Sequence, residues 1–315
     1  MEINILFLGG AKRVSVANHF KRTAAEMGHN VNIYSYELEA KVPIACIGTV
    51  IIGKLWKDPE LIDDLKRKIK DNNISIILPF VDSAIYVASE LKKVCPNVFI
   101  PVSEPILCNI MFDKVISAEW FKEKNINQPR FYTDPISIHY PVILKPRKGS
   151  ASKGIVVCKT KEELPNTDLS QYLIQDFIAE CTEFSVDCYV SQDGRVTSVV
   201  PRVRLETAGG EAVRSKTVKD EAIIAQSEKI LTSGPFRGPI TIQYIKDSNT
   251  GKVNVMEINP RLGGGVVASI GAGSGITKMI LDEFLGKTIS PVKDWKDNTI
   301  MVRYFQEVIF YADNN

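Results

Sequence analysis

The chain has 315 residues, 44% of them hydrophobic, and 39 Lys and Arg against 37 Asp and Glu give a formal net charge of +2. A chain of this length and composition can bury a sizeable core and is long enough for two or three domains. A net charge so near zero lacks the excess of positive charge that binding to nucleic acid or an anionic membrane requires, so neither is expected as a partner.

The cysteines and the apolar runs point to a cytoplasmic protein. The cysteines are scattered, without a CxxC pair or histidine partners at zinc-like spacing, so free thiols in a reducing compartment are expected. They are Cys46, Cys95, Cys108, Cys158, Cys181 and Cys188. Since no stretch approaches about 20 uninterrupted apolar residues, we expect neither a signal peptide nor a membrane span.

The first hundred residues alternate short apolar runs with amphipathic segments. Strands are predicted over 3–9, 31–38, 75–80 and 97–101, and helices over 16–28, 58–73 and 83–94. Alternation of this kind is typical of a parallel sheet covered by helices on both faces. The sequence therefore predicts a small doubly wound α/β domain at the N-terminus.

The turn after the first predicted strand suggests a dinucleotide site only weakly. The stretch LGGAKRVSV lacks the G-x-G-x-x-G spacing that lets backbone approach a pyrophosphate, although Glu37 ends the second strand. The simpler interpretation is that Gly9 and Gly10 form a tight strand-to-helix turn, one that could face a substrate.

Between Pro101 and Gln128 the apolar spacing becomes helical, with Lys114 in the middle, and a strand-rich register begins after Pro129. This segment is a candidate linker between domains.

A basic hairpin is predicted over residues 140–159, YPVILKPRKGSASKGIVVCK. Its first strand ends in Lys145, and a loop of glycine, serine and lysine follows. The loop residues concerned are Lys148, Gly149, Ser150, Lys153 and Gly154. Small residues let backbone N–H groups approach phosphate oxygens, and lysines offset the phosphate charge, so the hairpin is suited to cover phosphates. It is not a P-loop, and a basic hairpin without chemical role is the alternative.

The next stretch, LIQDFIAECTEFSVDCYV, predicts two strands. Glu183, Ser185 and Asp187 share one face by the period of two. That face is either solvated, or Glu183 accepts hydrogen bonds from ribose hydroxyls while the backbone of 176–178 contacts adenine.

The segment ITIQYIKDSNTGKVNVMEINPRLGGG predicts a metal site on a hairpin. The turn at 249–251 pairs its two strands and could bring Gln243 near Glu257, and Val253, Val255, Glu257 and Asn259 are expected on one strand face. Mg²⁺ takes oxygen ligands and keeps substrate phosphates in its coordination shell. A glutamate and amide oxygens are therefore sufficient as its protein ligands.

The residues that select the substrate are predicted to lie within 201–220. Arg202, Arg204, Arg214 and Lys216 could grip a substrate carboxylate, and solvent-facing strand charges are an equal alternative for each. Asp82, at the carboxyl end of a strand, could hold an amine.

The order of these motifs, from FDK and VILKP through QDFI and EFSVD to ITIQY and MEINPR, resembles the ATP-grasp superfamily. It is most similar to single-module relatives of the carbamoyl phosphate synthase large subunit, over roughly residues 1 to 290. The resemblance implies that Glu257 bridges two metal ions, that Gln243 and Asn259 each bind one, and that Arg261 steadies an acyl phosphate. Arg261 and Asn259 are thus the expected catalytic residues.

The same resemblance implies the nucleotide contacts. Lys114 and Lys145 would contact ATP, residues 175–178 (Gln175, Asp176, Phe177 and Ile178) would form the adenine hinge, and Glu183 would bind the ribose. The loop 148–154 would close over the triphosphate. The loop is poorer in glycine than in many relatives, and Gln-Asp replaces the more usual acidic pair of the hinge.

The expected fold class is α/β: an N-terminal doubly wound parallel sheet over 1–104, then a two-lobed α+β ATP-grasp module over 105–315. Within the module we expect a helical linker over 105–130, a small nucleotide-covering lobe over 131–180 and a large metal-binding lobe over 181–315.

The implied activity is an ATP- and Mg²⁺-dependent (or Mn²⁺-dependent) carboxylate–amine ligase that acts through an acyl phosphate on small-molecule substrates. The alternatives are a carbamoyl phosphate synthase-like activity on bicarbonate and ammonia, and a non-catalytic ATP-binding module. The apolar segment 308–314 is predicted as a strand that could pair within the fold or across a homodimer interface.

Overall fold

The N-terminal part of the computed structural model is a parallel sheet, and the structure describes residues 1–149 and 153–311. Its elements are β1 (Glu2–Leu8), α1 (Val14–Glu26), β2 (Asn30–Glu37), β3 (Thr49–Ile52), α2 (Leu61–Asp71), β4 (Ile76–Pro79) and α3 (Asp82–Val94). The strands are hydrogen-bonded in the order β3-β2-β1-β4, all parallel.

Helices cover both faces of this sheet. Phe20 of α1 packs with Ile5 and Phe7 on one face, while Leu65 of α2 packs with Leu6 on the other. Because both faces are buried, β1 is an almost unbroken apolar run, as expected for a central parallel strand. The doubly wound α/β fold predicted from the sequence is confirmed.

Two details of this sheet differ from the sequence prediction. β3 was not predicted, because Thr49–Ile52 has only four residues and follows a short 3₁₀ turn. The predicted strand over 97–101 is wrong: Phe99 forms one isolated parallel bridge with Ile76. Pro101 ends that segment and has no N–H to donate to a ladder.

The turn after β1 has the tight geometry expected of its glycines. Gly9 has φ of +73°, and a Cβ there would lie 2.8 Å from Cγ2 of Val81. A side chain at this position is therefore excluded by backbone conformation and by space alike.

The linker consists of two helices, α4 (Pro105–Phe112) and α5 (Lys114–Glu123), rather than one. Asp113 between them is extended, with φ of −98° and ψ of 113°, and its carboxylate accepts hydrogen bonds from the backbone N–H groups of Val115 and Ile116. Asp113 thus acts as an N-cap, which ends one helix and begins the next.

A small antiparallel sheet follows. Its strands are β5 (Phe131–Tyr132), β6 (Val142–Pro146), β7 (Val156–Cys158) and β8 (Tyr172–Asp176), in the order β5-β8-β6-β7. It has a core of its own, which includes Tyr132, Leu144 and Ile174. The predicted hairpin over 140–159 corresponds to β6 and β7, which pair antiparallel.

The third sheet is larger and mainly antiparallel, in the order β13-β12-β9-β10-β11-β14. Its elements are β9 (Cys181–Val190), β10 (Val196–Ala208), β11 (Glu211–Thr217), α6 (Glu221–Thr232), β12 (Gly238–Asp247), β13 (Val253–Asn259), α7 (Val266–Gly271), α8 (Ile276–Phe284) and β14 (Ile300–Val302). One face packs on α6 and on the linker helices.

The N-terminal sheet and the last helices share a core. Ile276 and Ile280 of α8 are fully buried in the cluster that contains Ile5 and Phe20. The domain boundary expected at residue 104 therefore stays a prediction, since apolar packing continues across it.

The predicted strand over 308–314 is wrong within the described chain. Residues 303–311 form neither strand nor helix, and the edge strand is β14 instead. The apolar residues Phe305 and Ile309 are exposed there, so no buried face supports strand pairing.

Candidate active site

The predicted metal ligands lie on the hairpin of β12 and β13. Gln243 is directly opposite Glu257 in the antiparallel register, as the sequence predicted, and Asn259 is opposite Thr241. The amide nitrogen Nδ2 of Asn259 donates to Oε1 of Glu257 at 3.0 Å. This hydrogen bond leaves the amide oxygen of Asn259 and Oε2 of Glu257 for other ligands.

A β-bulge at Met256 sets which way Glu257 faces. Gln243 pairs with Glu257, but the next residue, Tyr244, pairs with Val255, so Met256 is the extra residue. The prediction that Val253, Val255, Glu257 and Asn259 share one face is therefore wrong. The two valines pack in the core, whereas Glu257 and Asn259 line cavities. A bulge of this kind re-aims side chains beside functional sites.

The donor set of this hairpin fits a hard cation that shares its shell with phosphates. It offers one carboxylate and two amide oxygens, the ligand type that Mg²⁺ prefers. Among the described residues there is no cluster of three or more His, Cys, Asp or Glu. A softer metal held by the protein alone would need such a cluster.

Lys145, at the end of β6, is buried with only 4% of its surface exposed. Its Nζ donates to Oε1 of Gln175 at 3.0 Å and lies 3.7 Å from Sδ of Met256. The pKa of Lys145 is lowered to about 8, chiefly by burial and to a smaller extent by the charge of Lys114, which together outweigh the opposing charges of Glu257 and Glu183. An anionic phosphate at this point would favour the charged form.

Lys114 is held beside the phosphate-loop candidate by its neighbour Asp113. Arg147, just after β6, donates Nε and Nη2 to the Asp113 carboxylate at 2.8–3.1 Å, and its backbone oxygen accepts from the N–H of Lys114. Burial by itself raises the pKa of Asp113, but the hydrogen bonds from Arg147, Ile116 and Val115 outweigh it and the pKa is lowered.

The described ends of the loop 148–154 approach Lys114. Its Nζ donates to the backbone oxygen of Gly149 at 2.8 Å, and Gly149 and Gly154 have positive φ values of 137° and 73°. Lys148 and Lys153 are exposed. Ser150, the remaining loop residue predicted to contact phosphate, lies outside the described residues.

The predicted adenine hinge divides between two places. Gln175 is 1% exposed and contacts Lys145, whereas residues 176–178 line a separate cavity with His139 and Tyr140. Their polar groups are partly engaged. Oδ1 of Asp176 accepts from the hydroxyl of Tyr132 at 2.6 Å, and the N–H of Phe177 donates to the oxygen of Pro141.

Glu183, the predicted ribose ligand, lies in the same cavity as the phosphate-binding candidates. This lysine-lined cavity, of about 390 Å³, is bordered by Lys114, Lys145 and Lys153 and lies between the small and large sheets. Oε2 of Glu183 accepts from Nη1 of Arg204 at 2.9 Å. Arg204 is thus paired within the protein rather than solvated alone.

Arg261 is anchored by the N-terminal sheet. Its Nε and Nη2 both contact Oδ1 of Asp82, at 2.9 and 2.8 Å, and Asp82 begins α3 at the carboxyl end of β4. This ion pair, 16–17% exposed, joins the end of β13 to the first domain.

Arg202 is buried, not solvent-facing. Its Nε donates to Oδ2 of Asp187 at 2.7 Å and both side chains are 2% exposed. Ser269 also donates to Asp187, at 2.6 Å. Nη1 of Arg202 has no hydrogen-bond partner within the described chain, and a Cβ at Gly265 would lie 2.5 Å from it. Only glycine leaves room for the guanidinium here.

The arginines converge on a second cavity. This arginine-lined cavity, of about 220 Å³, is bordered by Arg13, Arg202, Arg204 and Arg261, and also by Asp82 and Glu211. Arg214 and Lys216, predicted from the same stretch as Arg202, are not among its lining residues in the described chain.

A third cavity, of about 270 Å³, lies between α3, α4 and the start of the phosphate loop. All three cavities meet at Glu257, which lines each of them. Asp82 and Asn259 border both the arginine-lined cavity and the third cavity. Lys114 and Gly149 border both the lysine-lined cavity and the third cavity. The candidate metal ligand thus stands where three separate chambers join.

Comparisons with known proteins agree with this architecture. A family model described as "ATP-grasp in the biosynthetic pathway with Ter operon" matches residues 168–308. Comparison with curated protein sequences gives no match. Biotin carboxylase from Campylobacter jejuni, solved in complex with β-γ-ATP, superposes with a TM-score of 0.76 at 17% identity, over 94% of this chain and 74% of that one.

Two further solved structures are similar. N5-carboxyaminoimidazole synthetase from Staphylococcus aureus, complexed with ADP, has a TM-score of 0.73 at 18% identity, over 92% of this chain and 80% of that one. The biotin carboxylase domain dimer of Hydrogenobacter thermophilus 2-oxoglutarate carboxylase, with MgADP, ADP and bicarbonate, has a TM-score of 0.72 at 15% identity, over 94% and 73%.

The chain has the ATP-grasp fold.

In ATP-grasp terms, the matched family segment contains the hairpin with Gln243, Glu257 and Asn259, and also the arginines Arg202 and Arg204. Lys114 and Lys145 precede it. The described part of the chain contains no helix long and apolar enough to cross a bilayer.

Sequence reasoning missed two residues of the site. Asp113 was not singled out, although an Asp followed by a helical run is an N-cap signal. Arg13 lines the arginine-lined cavity from the turn after β1. No local signal marks it, because it reaches the site only through the packing of the N-terminal sheet against the module.

Proposed function

We propose that this ATP-grasp chain is a cytoplasmic, ATP- and Mg²⁺-dependent ligase that joins a small-molecule carboxylate to an amine through an acyl phosphate. The observation that carries the proposal is the position of Glu257, opposite Gln243 and at the junction of the three cavities. Nucleotide, carboxylate and amine can each occupy one chamber and meet at this point.

The lysine-lined cavity is assigned to ATP. Lys114 and Lys145 would contact its phosphates, with Lys148, Gly149, Ser150 and Gly154 of the loop over them and Glu183 toward the ribose. Gln175 would support Lys145, and the adenine edge is assigned to residues 176–178, whose cavity is separate from the lysine-lined one. Positive charge here offsets the negative charge that develops on the transferred phosphoryl group, and exclusion of water strengthens this interaction.

Gln243, Glu257 and Asn259 would hold Mg²⁺, or Mn²⁺, through their side-chain oxygens. When bound, the metal supplies charge neutralisation at the phosphates and orients them. The protein residues supply only oxygen ligands and leave the remaining positions to the nucleotide.

The arginine-lined cavity is assigned to the carboxylate. Arg202 is the best candidate to bind it, because its Nη1 is buried without a partner in the described chain and a carboxylate would satisfy it. A carboxylate oxygen attacks the γ-phosphorus of ATP, the bond to the β–γ bridging oxygen breaks, and ADP leaves.

The amine completes the reaction. Its neutral nitrogen attacks the acyl carbon, the bond from that carbon to the phosphate oxygen breaks, and the nitrogen gives up a proton as the amide forms. Arg261 would stabilise the tetrahedral oxyanion. Asp82 holds the guanidinium of Arg261 for this purpose through two contacts on one oxygen.

The proposal is tested by ADP release from the purified chain across a matrix of carboxylates and amines, with Mg²⁺ present. Bicarbonate with ammonia is included, because bicarbonate accompanies MgADP in the 2-oxoglutarate carboxylase structure. We expect ADP release that needs one carboxylate and one amine and that falls at least about 10³-fold in Glu257→Ala.

The matched control is Glu206→Ala, since Glu206 is exposed on the same sheet and borders none of the three cavities. ADP with bicarbonate and ammonia alone would instead support the carbamoyl phosphate synthase-like activity. ATP binding without ADP release from any pair would support a non-catalytic module.

A further inference from the structure

The third cavity has a different chemistry from the other two. Its wall is formed by Trp56 before α2, by Tyr86 of α3 and by Met111 and Phe112 of α4, and we refer to it as the aromatic cavity. Tyr86 is 48% exposed and Phe112 36% exposed, so ring surface is left uncovered at its wall. Exposed apolar surface that lines a concave site is typical of ligand pockets.

The cavity is continuous with the reaction centre. It shares Glu257 with both other cavities and shares Asp82 and Asn259 with the arginine-lined one. A ligand whose body lies between Tyr86 and Phe112 can therefore present one end to the carboxylate in the adjoining chamber. Lys57, Lys114 and Lys148 also line this cavity, and Lys114 borders the lysine-lined cavity as well.

Asp82 supplies a charged contact at the mouth of this cavity. Both contacts from Arg261 fall on Oδ1, and within the described chain Oδ2 accepts no hydrogen bond. Asp82 is 17% exposed. A free carboxylate oxygen at this junction can accept hydrogen bonds from an ammonium group and would repel a second carboxylate.

We propose that the aromatic cavity binds the amine substrate and that this amine carries an aromatic or branched apolar group, with its nitrogen at Asp82. The inference rests on the proposed ligase function and names the substrate class of the same site. The carboxylate occupies the arginine-lined cavity, so the two substrates meet beside Glu257 and Asn259. Tyr86 and Phe112 are then specificity-determining residues.

Calorimetric titration of the full chain, saturated with ADP and Mg²⁺, tests the proposal without turnover. The probes are 2-phenylethylamine, ethylamine and 3-phenylpropionate. We expect 2-phenylethylamine to bind at least about tenfold more tightly than ethylamine, since the ring buries apolar surface. Tyr86→Ala and Phe112→Ala should each weaken its binding about five- to tenfold and leave ADP binding unchanged.

The matched control is Ile106→Ala, because Ile106 is 78% exposed on the same helix as Phe112 but does not line the cavity. Asn109→Trp is a second variant, in which an exposed wall residue is enlarged to fill the space, and it should abolish 2-phenylethylamine binding. Equal affinity for ethylamine, or tighter binding of 3-phenylpropionate that depends on Tyr86, would overturn the proposal.

The ADP-release matrix separates this inference from the ligase function. ADP release with apolar amines that is lost in Tyr86→Ala and Asn109→Trp supports both. ADP release only with small polar amines, unchanged by these variants, overturns the substrate class and leaves the ligase. Binding of 2-phenylethylamine at Tyr86 without any ADP release supports the assignment of the aromatic cavity. It contradicts only the proposed ligase activity.

Discussion

Lys145, proposed as a phosphate ligand, has a pKa that burial brings close to neutral pH. Burial lowers its pKa to about 8, so above that pH the free protein must take up a proton to present a cation to ATP. We expect the Kd for ATP to rise up to about tenfold per pH unit above pH 8. Calorimetry at about pH 8.5, in two buffers of different ionisation enthalpy, should detect proton uptake on binding.

Lys145→Met should remove this proton uptake, while Lys148→Met, a change in an exposed lysine of the loop, should keep it. The same shift affects folding. Between pH 8 and 10.5, the ordinary pKa of a lysine, the unfolded chain binds more protons at this site than the folded chain, so stability rises with pH across that window. Proton uptake that persists in Lys145→Met would assign it to another group.

Arg202 and Asp187 form a buried ion pair, and removal of one partner leaves the other charge buried and unpaired. Arg202→Met leaves the carboxylate buried without its main partner, and we expect a loss of about 3–5 kcal/mol in the free energy of unfolding. The double variant Arg202→Met with Asp187→Leu should recover most of that loss. Urea unfolding followed by circular dichroism measures both.

Arg214→Met is the control for Arg202, because Arg214 is exposed on the neighbouring strand β11 and should change stability by less than about 0.5 kcal/mol. Similar losses for Arg202→Met and Arg214→Met would contradict the role of burial. From the sequence, solvent exposure and substrate contact were equal alternatives for Arg202. The period of two places a residue on a face, but only the third dimension decides whether that face is covered.

At the scale of elements, the break between α4 and α5 connects local structure to the nucleotide site. Asp113 caps α5 and holds Arg147, which positions Lys114 beside Gly149. Asp113→Ala should cost about 1 kcal/mol for the cap and, because Lys114 is displaced, weaken ATP binding on the order of fivefold. Calorimetric titration with ATP gives the second quantity.

Asp220→Ala provides a matched control for Asp113→Ala. Asp220 also caps a helix, α6, and also forms an ion pair, with Lys246, but it borders none of the three cavities. It should lose similar stability and keep its affinity for ATP. Equal weakening of ATP binding in both variants would mean that general destabilisation, not the position of Lys114, is responsible.

The elements that sequence reasoning found are those defined by local periodicity. The parallel strands β1, β2 and β4, the helices between them and the pairing of Gln243 with Glu257 were all predictable, because apolar spacing and turn residues determine them. The bulge at Met256 was not. It depends on how β13 fits against β12 and Lys145, and a single inserted residue reverses every face assignment beyond it.

At the scale of the whole molecule, the site depends on contacts between distant parts of the chain. Asp82 and Arg261 are 179 residues apart, and Arg13 and Glu211 are 198 apart. Each pair joins the N-terminal sheet to the ATP-grasp module. Nothing in the spacing of one sequence marks such pairs, whereas Gln243 and Glu257 are separated by only a short hairpin, so their pairing could be predicted.

A homodimer remains a prediction. Its structural candidate is the outer edge of β14, where Ile300 and Val302 are 54% and 63% exposed. Exposed apolar residues on an edge strand favour pairing with another strand. Sedimentation velocity of the wild type and of Val302→Lys would test it, and a monomer in both would contradict it.

Glu211 ties three separated segments together and provides a prediction for the molecule as a whole. Its Oε1 lies 2.9 Å from Arg13 and its Oε2 lies 3.3 Å from Arg303, which follows β14. Burial raises the pKa of Glu211, but the hydrogen bond and charge of Arg13 and the charges of Arg303 and Lys12 outweigh it, so its pKa is lowered. The carboxylate therefore stabilises the folded state above its unfolded pKa of about 4.3, and this stabilisation disappears as the pH falls through the lower, folded value.

Glu211→Gln should accordingly lower the free energy of unfolding at pH 7 by less than about 1 kcal/mol, a small value because the side chain is 40% exposed and solvent screens the pair. The difference from wild type should shrink as the pH falls through the lowered, folded-state pKa of Glu211, because the carboxyl group then becomes neutral like the glutamine. Urea titrations at a series of pH values measure it, with Glu90→Gln as the control, since Glu90 pairs only with Lys93 within one helix. A difference that does not shrink as the pH falls would mean that Glu211 acts through its shape, and the charge link between the N-terminal sheet and the large sheet would then be assigned to Asp82 and Arg261.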